Sequence, residues 1–250
     1  MLNLAGRGAI VAGARRIGAT IVERLAREDV RVAVLYRNSR VEAERLAKAS
    51  NGIALRADLT DENSVQSAVA AAKQQLGDLS FCINLASDYP RASFDELDAA
   101  AWDAGLASAR SSFLLGLHAA RAMLDNAGPT RGHLIFFGDW AAEETPYEDY
   151  LPYLTGKAAT HFLTRGFALE LASRGILVNG ILPGPTERPP DMSEAGWQKA
   201  LDQTPLRRES SADDIAELAV TILRLETMTG ENLRVDAGRH ISGTARRSTG

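Results

Sequence analysis

Seven short apolar or β-branched runs, at 8–12, 31–36, 53–57, 81–85, 133–137, 176–182 and 232–235, alternate with amphipathic stretches of helical periodicity. Runs that are apolar throughout suit strands buried on both faces, and strands alternating with helices build a parallel sheet covered on both sides. The expected fold is therefore α/β, a doubly wound parallel sheet of seven strands. The intervening helices are expected at about 16–27, 40–50, 62–76, 99–126, 150–173 and 211–225. Asp61 and Ser211 stand where N-terminal caps belong. One domain over 1–241 follows, with a polar, basic tail at 242–250 expected to be disordered. Two segments read as irregular: 140–149, and 183–210, which is rich in Pro, Gly and Glu. Long loops after the carboxyl ends of strands are where such sheets bind ligands.

Composition narrows the partners. A net charge of −4 with scattered arginines gives no basic field, so nucleic acid is not expected. The single cysteine, Cys82, cannot form an internal bridge, which suits a reducing compartment. No apolar run is long enough for a membrane span, and a strand-like segment begins too early to leave room for a signal peptide. A cytoplasmic protein acting on a small-molecule substrate is expected. His118, His133, His161 and His240 lack ligand spacing, so they read as surface or helix residues and no metal is expected.

Chemistry-bearing residues cluster in the second half. Asp139 and Tyr153 are followed four residues on by Lys157. Positions i and i+4 share a helix face, so the Lys157 ammonium can sit near the Tyr153 ring and favour its phenolate. A phenol of ordinary pKa about 10 would thereby approach the range of a working general acid. The same spacing also arises on solvated helices, so the rest of the chain must decide its meaning.

The first strand runs into Ala12-Gly13-Ala14-Arg15-Arg16-Ile17-Gly18 and then a helix. In that setting bare amides at a helix N-terminus face a pyrophosphate, with an ordinary strand-to-helix turn as the alternative. After the second strand come Tyr36-Arg37-Asn38-Ser39, with no acid for ribose hydroxyls. Guanidinium forks bind phosphate, so Arg37 with Arg15 or Arg16 points to the 2′-phosphate of NADP(H). Each arginine alone reads equally as a surface residue. Asp58, before Leu59, either accepts an adenine amino group or caps the next turn.

Taken in order, these residues resemble the short-chain dehydrogenase/reductase family over nearly the whole chain. The matching elements are the glycine turn, Asp58-Leu59, Asn84-Leu85-Ala86-Ser87, Tyr153-x-x-x-Lys157, the run from Val178 to Pro183-Gly184, and Val235-Asp236-Ala237-Gly238. The resemblance implies a Rossmann-type fold, a nicotinamide cofactor, Tyr153 as proton donor, and Lys157 on the nicotinamide ribose. It also implies a homotetramer built on the helices at 99–126 and 150–173, and a lid at about 183–210 with Gly184 and Gly196 as hinges, stiffened by Pro189 and Pro190. The family's catalytic serine position is occupied by Asp139. An ionised carboxylate there would repel a developing alkoxide, whereas it can accept N–H donors from an imine or aminopyrimidine-like ring. Within the family this looks like the pteridine reductases, as do Arg15-Arg16-Ile17-Gly18 and Tyr89 after the Asn84 stretch.

Several positions depart from the family pattern. Ala12 replaces the first glycine, Leu85 an asparagine, and Ser108 the asparagine that holds a proton-relay water. Tyr89, Trp140 and Trp197 are candidate substrate contacts, each with a packing role as the alternative. Three functions follow: an NADPH-dependent reductase of a pterin- or dihydrofolate-like ring; a reductase of ordinary ketones, 3-oxoacyl thioesters or sugars; or a weakly catalytic NADP(H)-binding sensor or assembly subunit.

Overall fold

The computed structural model describes residues 1–143, 145–188 and 192–242. Its seven strands are β1 (Gly8–Ala12), β2 (Arg31–Tyr36), β3 (Ile53–Arg56), β4 (Phe81–Asn84), β5 (Gly132–Phe137), β6 (Ile176–Pro183) and β7 (Asn232–Val235). All neighbours pair in parallel, in the order β3-β2-β1-β4-β5-β6-β7. The helices are α1 (Ile17–Ala26), α2 (Arg40–Ala49), α3 (Glu62–Leu76), α4 (Ala99–Met123), α5 (Leu151–Leu171), α6 (Glu194–Asp202) and α7 (Ala212–Arg224). The expected Rossmann-type sheet is therefore present, with most ends within one to three residues of those expected.

The two-residue period of the strands sends alternate side chains to opposite cores. Val11, Val34, Ile83, Ile135 and Ile181 pack with α1 and α7 residues such as Ile21, Leu25, Ile215 and Val220. Ile10, Cys82, Leu134, Phe136 and Val178 pack on the other side with Val65, Val69, Leu115 and Met123 of α3 and α4. Central strands are covered on both sides, which is why their sequences are apolar without alternation.

Caps place the helices. Asp61 accepts the Ser64 N–H at 2.7 Å and Ser211 accepts that of Asp214 at 3.2 Å, as their positions predict. α4 and α5 lie against each other, and β-carbons at Gly105 or Gly156 would collide with the facing helix backbone. The close approach is thus made by Gly105 and Gly156 within one chain, and it holds the start of α5, with Tyr153 and Lys157, against the sheet.

The segment at 183–210 is not irregular throughout. It contains α6, where Ser193 accepts the Gly196 N–H and Trp197 and Leu201 are buried one turn apart. Its nine residues and its Pro- and Gly-rich flanks hide the periodicity. Pro189, Pro190 and the tail beyond Ser242 lie outside the described residues.

His118 and His161 are helix residues, as expected, whereas His133 lies on β5 in the core. His133 and His161 are 0% and 1% exposed, and His118 is buried against Glu62. Both ring nitrogens of His133 lack a hydrogen-bond partner, and burial pushes its pKa down to about 4. The unfolded chain takes up a proton near pH 6.5, whereas the folded chain resists it until about pH 4. Stability is therefore lost as pH falls through that window, by ~3 kcal/mol if the whole displacement is realised. Urea unfolding of His133→Leu should show a flatter acid limb between those pH values; an unchanged limb would exonerate His133.

Candidate active site

The residues singled out by sequence gather at the carboxyl edge of the sheet, where β1 and β4 lie side by side although their crossovers run in opposite directions. This switch point is where open α/β sheets bind ligands. β1 ends at Ala12, and Gly13 turns with φ 86° toward α1. A β-carbon at Gly13 would lie 2.7 Å from the Ala86 amide nitrogen, and one at Gly18 would strike the Gly13 carbonyl. Both glycines let the turn sit against the β4 loop, and the turn closes on itself through the Arg15 N–H, which donates to the Gly13 carbonyl at 2.9 Å. Arg16, just before α1, has φ 54° and ψ −121°, a conformation that costs a residue with a β-carbon about 1–3 kcal/mol.

Arg16 and Arg37 are both engaged by the chain. Arg16 Nε pairs with Glu187 at 2.7 Å and its Nη2 donates to the Arg188 carbonyl, so it ties the glycine turn to the segment after β6. Arg37 pairs with Asp88 at 3.2 Å, and Arg15 is exposed. Sequence reasoning expected Arg37 and Arg15 or Arg16 to converge on one phosphate; here Arg16 and Arg37 are each paired with a carboxylate of the chain. Asn38 and the α2 cap Ser39 follow Tyr36 and Arg37 at the end of β2. Asp58 accepts from both the amide and the hydroxyl of Thr60, which lowers its pKa and makes it the cap of the turn through Leu59. Asn84 donates to Ser111 and Ser112 of α4 and accepts the Ala86 N–H, fixing the β4 loop that carries Ser87. Pro183 ends β6, and the Gly184 amide donates to Val235.

Beyond β5 the catalytic candidates converge. Tyr153 Oη donates to Asp139 Oδ2 at 2.9 Å, while Asp139 Oδ1 accepts the Ala141 N–H at 2.9 Å. Tyr147 Oη stands 3.5 Å from the same Oδ2. Tyr89 stacks on Tyr150 with centroids 4.3 Å apart and meets Tyr153 edge-on at 4.8 Å. Four of the five tyrosines therefore form one cluster, of which Tyr153 and Tyr147 meet the Asp139 carboxyl. Trp140 stacks beside Tyr147, and the Arg239 guanidinium lies 4.8 Å from its ring centroid.

Burial dominates the ionisation of this cluster. It pushes Asp139 above the usual carboxylate range, against the opposing Ala141 amide, Lys157 and Tyr153. It pushes Tyr153 well above 10, and the charge of Asp139 adds to that rise. Lys157 is brought down to about 8 by burial, with Asp139 opposing. Its Nζ donates to the Phe137 carbonyl at 3.0 Å and lies 5.7 Å from the Tyr153 ring centroid. The phenol pKa is therefore raised rather than brought down as expected, first by burial and then by the carboxyl beside it.

Ser108 is buried on α4, its hydroxyl facing Gly156 beside Lys157 and lacking a partner. Trp197 is folded under α6, where its indole N–H donates to Glu209 at 2.9 Å, so it anchors that helix rather than lining a ring site. Sequence reasoning missed Tyr147, Tyr150, His161, Glu143 and Arg239. The first two had a signal, since 147, 150 and 153 repeat at three-residue spacing before and into the helix.

Residues 11–240 match the model of the family described as enoyl-(acyl carrier protein) reductase. A solved short-chain dehydrogenase/reductase from Serratia marcescens superimposes with a TM-score of 0.87 at 32% identity, covering 96% of this chain and 100% of its own. The chain belongs to the short-chain dehydrogenase/reductase family. Gluconate 5-dehydrogenase of Gluconobacter oxydans is 30% identical over 97% of this chain and 98% of its own. FolM alternative dihydrofolate reductase 1 from Brucella canis, complexed with NADP, has a TM-score of 0.86 at 26% identity over the full length of both chains. Membership makes the chain an oxidoreductase of the NAD(P)-binding kind acting on a small molecule. No described helix is long and apolar enough to cross a membrane.

Within this short-chain dehydrogenase/reductase, Asp139→Asn should lower the pKa of the Tyr153 phenol, because the negative charge beside it is gone. Titration of [13Cζ]tyrosine by NMR reads this directly. An unmoved Tyr153 resonance would show that burial alone sets its ionisation.

Proposed function

We propose that this protein is an NADPH-dependent reductase of a small planar substrate carrying a C=N or C=O group, of the pterin or dihydrofolate class, with Tyr153 as proton donor. The observation that carries this reading is the 2.9 Å bond from the Tyr153 phenol to a buried carboxyl, Asp139, where a hydroxyl would suit an ordinary ketone. Bound NADPH would supply the hydride. The turn at Gly13, Ile17 and Gly18, at the N-terminus of α1, suits its pyrophosphate, and the collisions any β-carbon would meet at Gly13 and Gly18 support that fit. Lys157, a buried cation bonded only to a main-chain carbonyl, suits ribose hydroxyls. Arg37, released from Asp88 and aided by Arg15, Arg16, Asn38 and Ser39, holds the 2′-phosphate. Tyr36, Asp58, Leu59, Asn84, Ala86, Ser87, Pro183 and Gly184 complete the cleft.

The chain's own groups then do two things. Asp139 accepts N–H donors of the substrate ring and orients it, while Tyr89 and Trp140 offer aromatic faces of a size that suits stacking. Tyr153 gives its proton to the reduced nitrogen or oxygen and recovers one from Asp139 or Lys157, with a water on Ser108 as the onward path. The Brucella canis protein named as an alternative dihydrofolate reductase supports this substrate class. A second reading, a dehydrogenase or reductase of alcohols, ketones or sugars, is favoured by the gluconate 5-dehydrogenase relationship. The protein works in a reducing, cytoplasmic setting that keeps Cys82 a thiol. It assembles as a homotetramer through α4 and α5, whose Phe113, Phe162 and Leu169 are exposed.

Turnover of dihydrobiopterin against small ketones and gluconate, each with NADPH and NADH, tests the reading. It predicts preference for the pterin and for NADPH, and a loss of about 10²-fold or more in kcat for Tyr153→Phe. Preference for ketones or sugars would install the second reading; NADH bound more tightly would remove the phosphate role of Arg37. Tyr153→Phe without effect on any substrate would leave a binding subunit.

A further inference from the structure

His161 continues the helical stripe that carries the site, one turn past Lys157 and two past Tyr153. Its ring is 1% exposed and lies directly behind Asp139. Nε2 accepts the main-chain N–H of Asp139 at 3.2 Å. Nδ1 lies 3.1 Å from Glu143 Oε1, a contact that is close but not aligned as a hydrogen bond. A nitrogen that accepts from an amide carries no proton, so the neutral ring holds its proton on Nδ1, on the side of Glu143. The ring reaches the main chain because residue 138 is glycine: a β-carbon on Gly138 would overlap Nε2. The Asn232 amide fixes the other side of the same helical turn by donating to the His161 carbonyl at 3.2 Å.

Asp139 is thereby gripped at three points: its N–H by His161, Oδ1 by the Ala141 amide, and Oδ2 by Tyr153. Only the first comes from outside the loop and the catalytic pair. We propose that His161 and Glu143 form a positioning couple, in which Glu143 sets the tautomer of a neutral imidazole that holds the Asp139 peptide and so aims its carboxyl at the Tyr153 phenol. This rests on the reading of Tyr153 and Asp139 as the reacting pair. A second proton on the ring would set an N–H against the Asp139 N–H and release the peptide. The charged groups facing the ring and its partner are Glu143, Asp139 and Lys157, with Arg165 at 3.6 Å and Arg234 at 3.8 Å from the Glu143 carboxyl. Burial lowers the pKa of His161, with Glu143 opposing, so release belongs to the acid side of pH 6.5.

Two variants separate positioning from packing. His161→Gln keeps an acceptor for the Asp139 amide and cannot be protonated, whereas His161→Leu keeps bulk and offers no acceptor. Hydrogen exchange of the Asp139 amide should speed up about tenfold or more in His161→Leu and stay slow in His161→Gln. In turnover at pH 8, His161→Leu should lose roughly 10–100-fold in kcat with the coenzyme KM unchanged, and His161→Gln should recover most of it. The acid limb of the kcat profile should be flatter in His161→Gln than in wild type. Exchange that is equally slow in His161→Leu and wild type, or His161→Gln as impaired as His161→Leu, overturns the proposal. Should His161→Leu not fold, the long-range 1H–15N spectrum of the wild-type ring decides: a proton on Nδ1 sustains the couple, and a proton on Nε2 removes it. Exchange and tautomer need no turnover, so a protein that shows both and reduces nothing would defeat the functional reading alone.

Discussion

A carboxyl and a phenol hydrogen-bonded to each other in a space nearly closed to water govern the rest of this site. Removing water from an ionised carboxylate costs several kcal/mol, while one charge-assisted hydrogen bond returns about 1.5–3 kcal/mol. Desolvation therefore wins at Asp139 and raises its pKa, and burial together with the adjoining carboxyl raises that of the Tyr153 phenol. The surroundings serve that state. Tyrosines 89, 147 and 150 keep solvent away, Lys157 remains the one ammonium within electrostatic reach, and the peptide of Asp139 is tied to α5 through His161.

The architecture brings these groups together economically. β5 ends at Phe137, the next two residues deliver Asp139, and α5 returns Tyr153 and Lys157 over the same strand end. The glycine-dependent contact between α4 and α5 fixes the depth of α5. On the cofactor side, the glycine turn and the β4 loop approach until only glycine fits at 13. Arg16 then reaches from a strained backbone to Glu187, making the turn and the segment before α6 one charged unit.

Most of the fold was legible in the sequence because central parallel strands are buried on both faces and so stand out as unbroken apolar runs. Helix ends were readable where a cap is unambiguous, as at Asp61 and Ser211. α6 was not: a nine-residue helix between Pro- and Gly-rich stretches has too few turns for its Trp197–Leu201 spacing to dominate. The cluster of Asp139, Tyr153 and Lys157 was legible because the Tyr153–Lys157 spacing within one helix, and the placement of Asp139 after the end of β5, are local facts. The apolar run before Asp139 also foretold the rise in its carboxyl pKa; the rise at Tyr153 was not legible, since the sequence shows that Lys157 is near the phenol but not that burial and a closer carboxyl outweigh it. The partners of Arg16 and Arg37 were hidden for the same reason, as Glu187 and Asp88 lie far away along the chain. His161 looked like a scattered histidine until Gly138 made room for it.

The most direct test is to replace the carboxyl by the family's hydroxyl, Asp139→Ser, and to compare the kcat/KM ratio of a dihydropterin to a small ketone with that of wild type. If Asp139 aligns a nitrogen ring and hinders an alkoxide, the ratio falls about tenfold or more, with the ketone gaining in absolute terms. A ratio that stays constant while both substrates decline together would contradict the account, and Asp139 would then be a generic support for Tyr153.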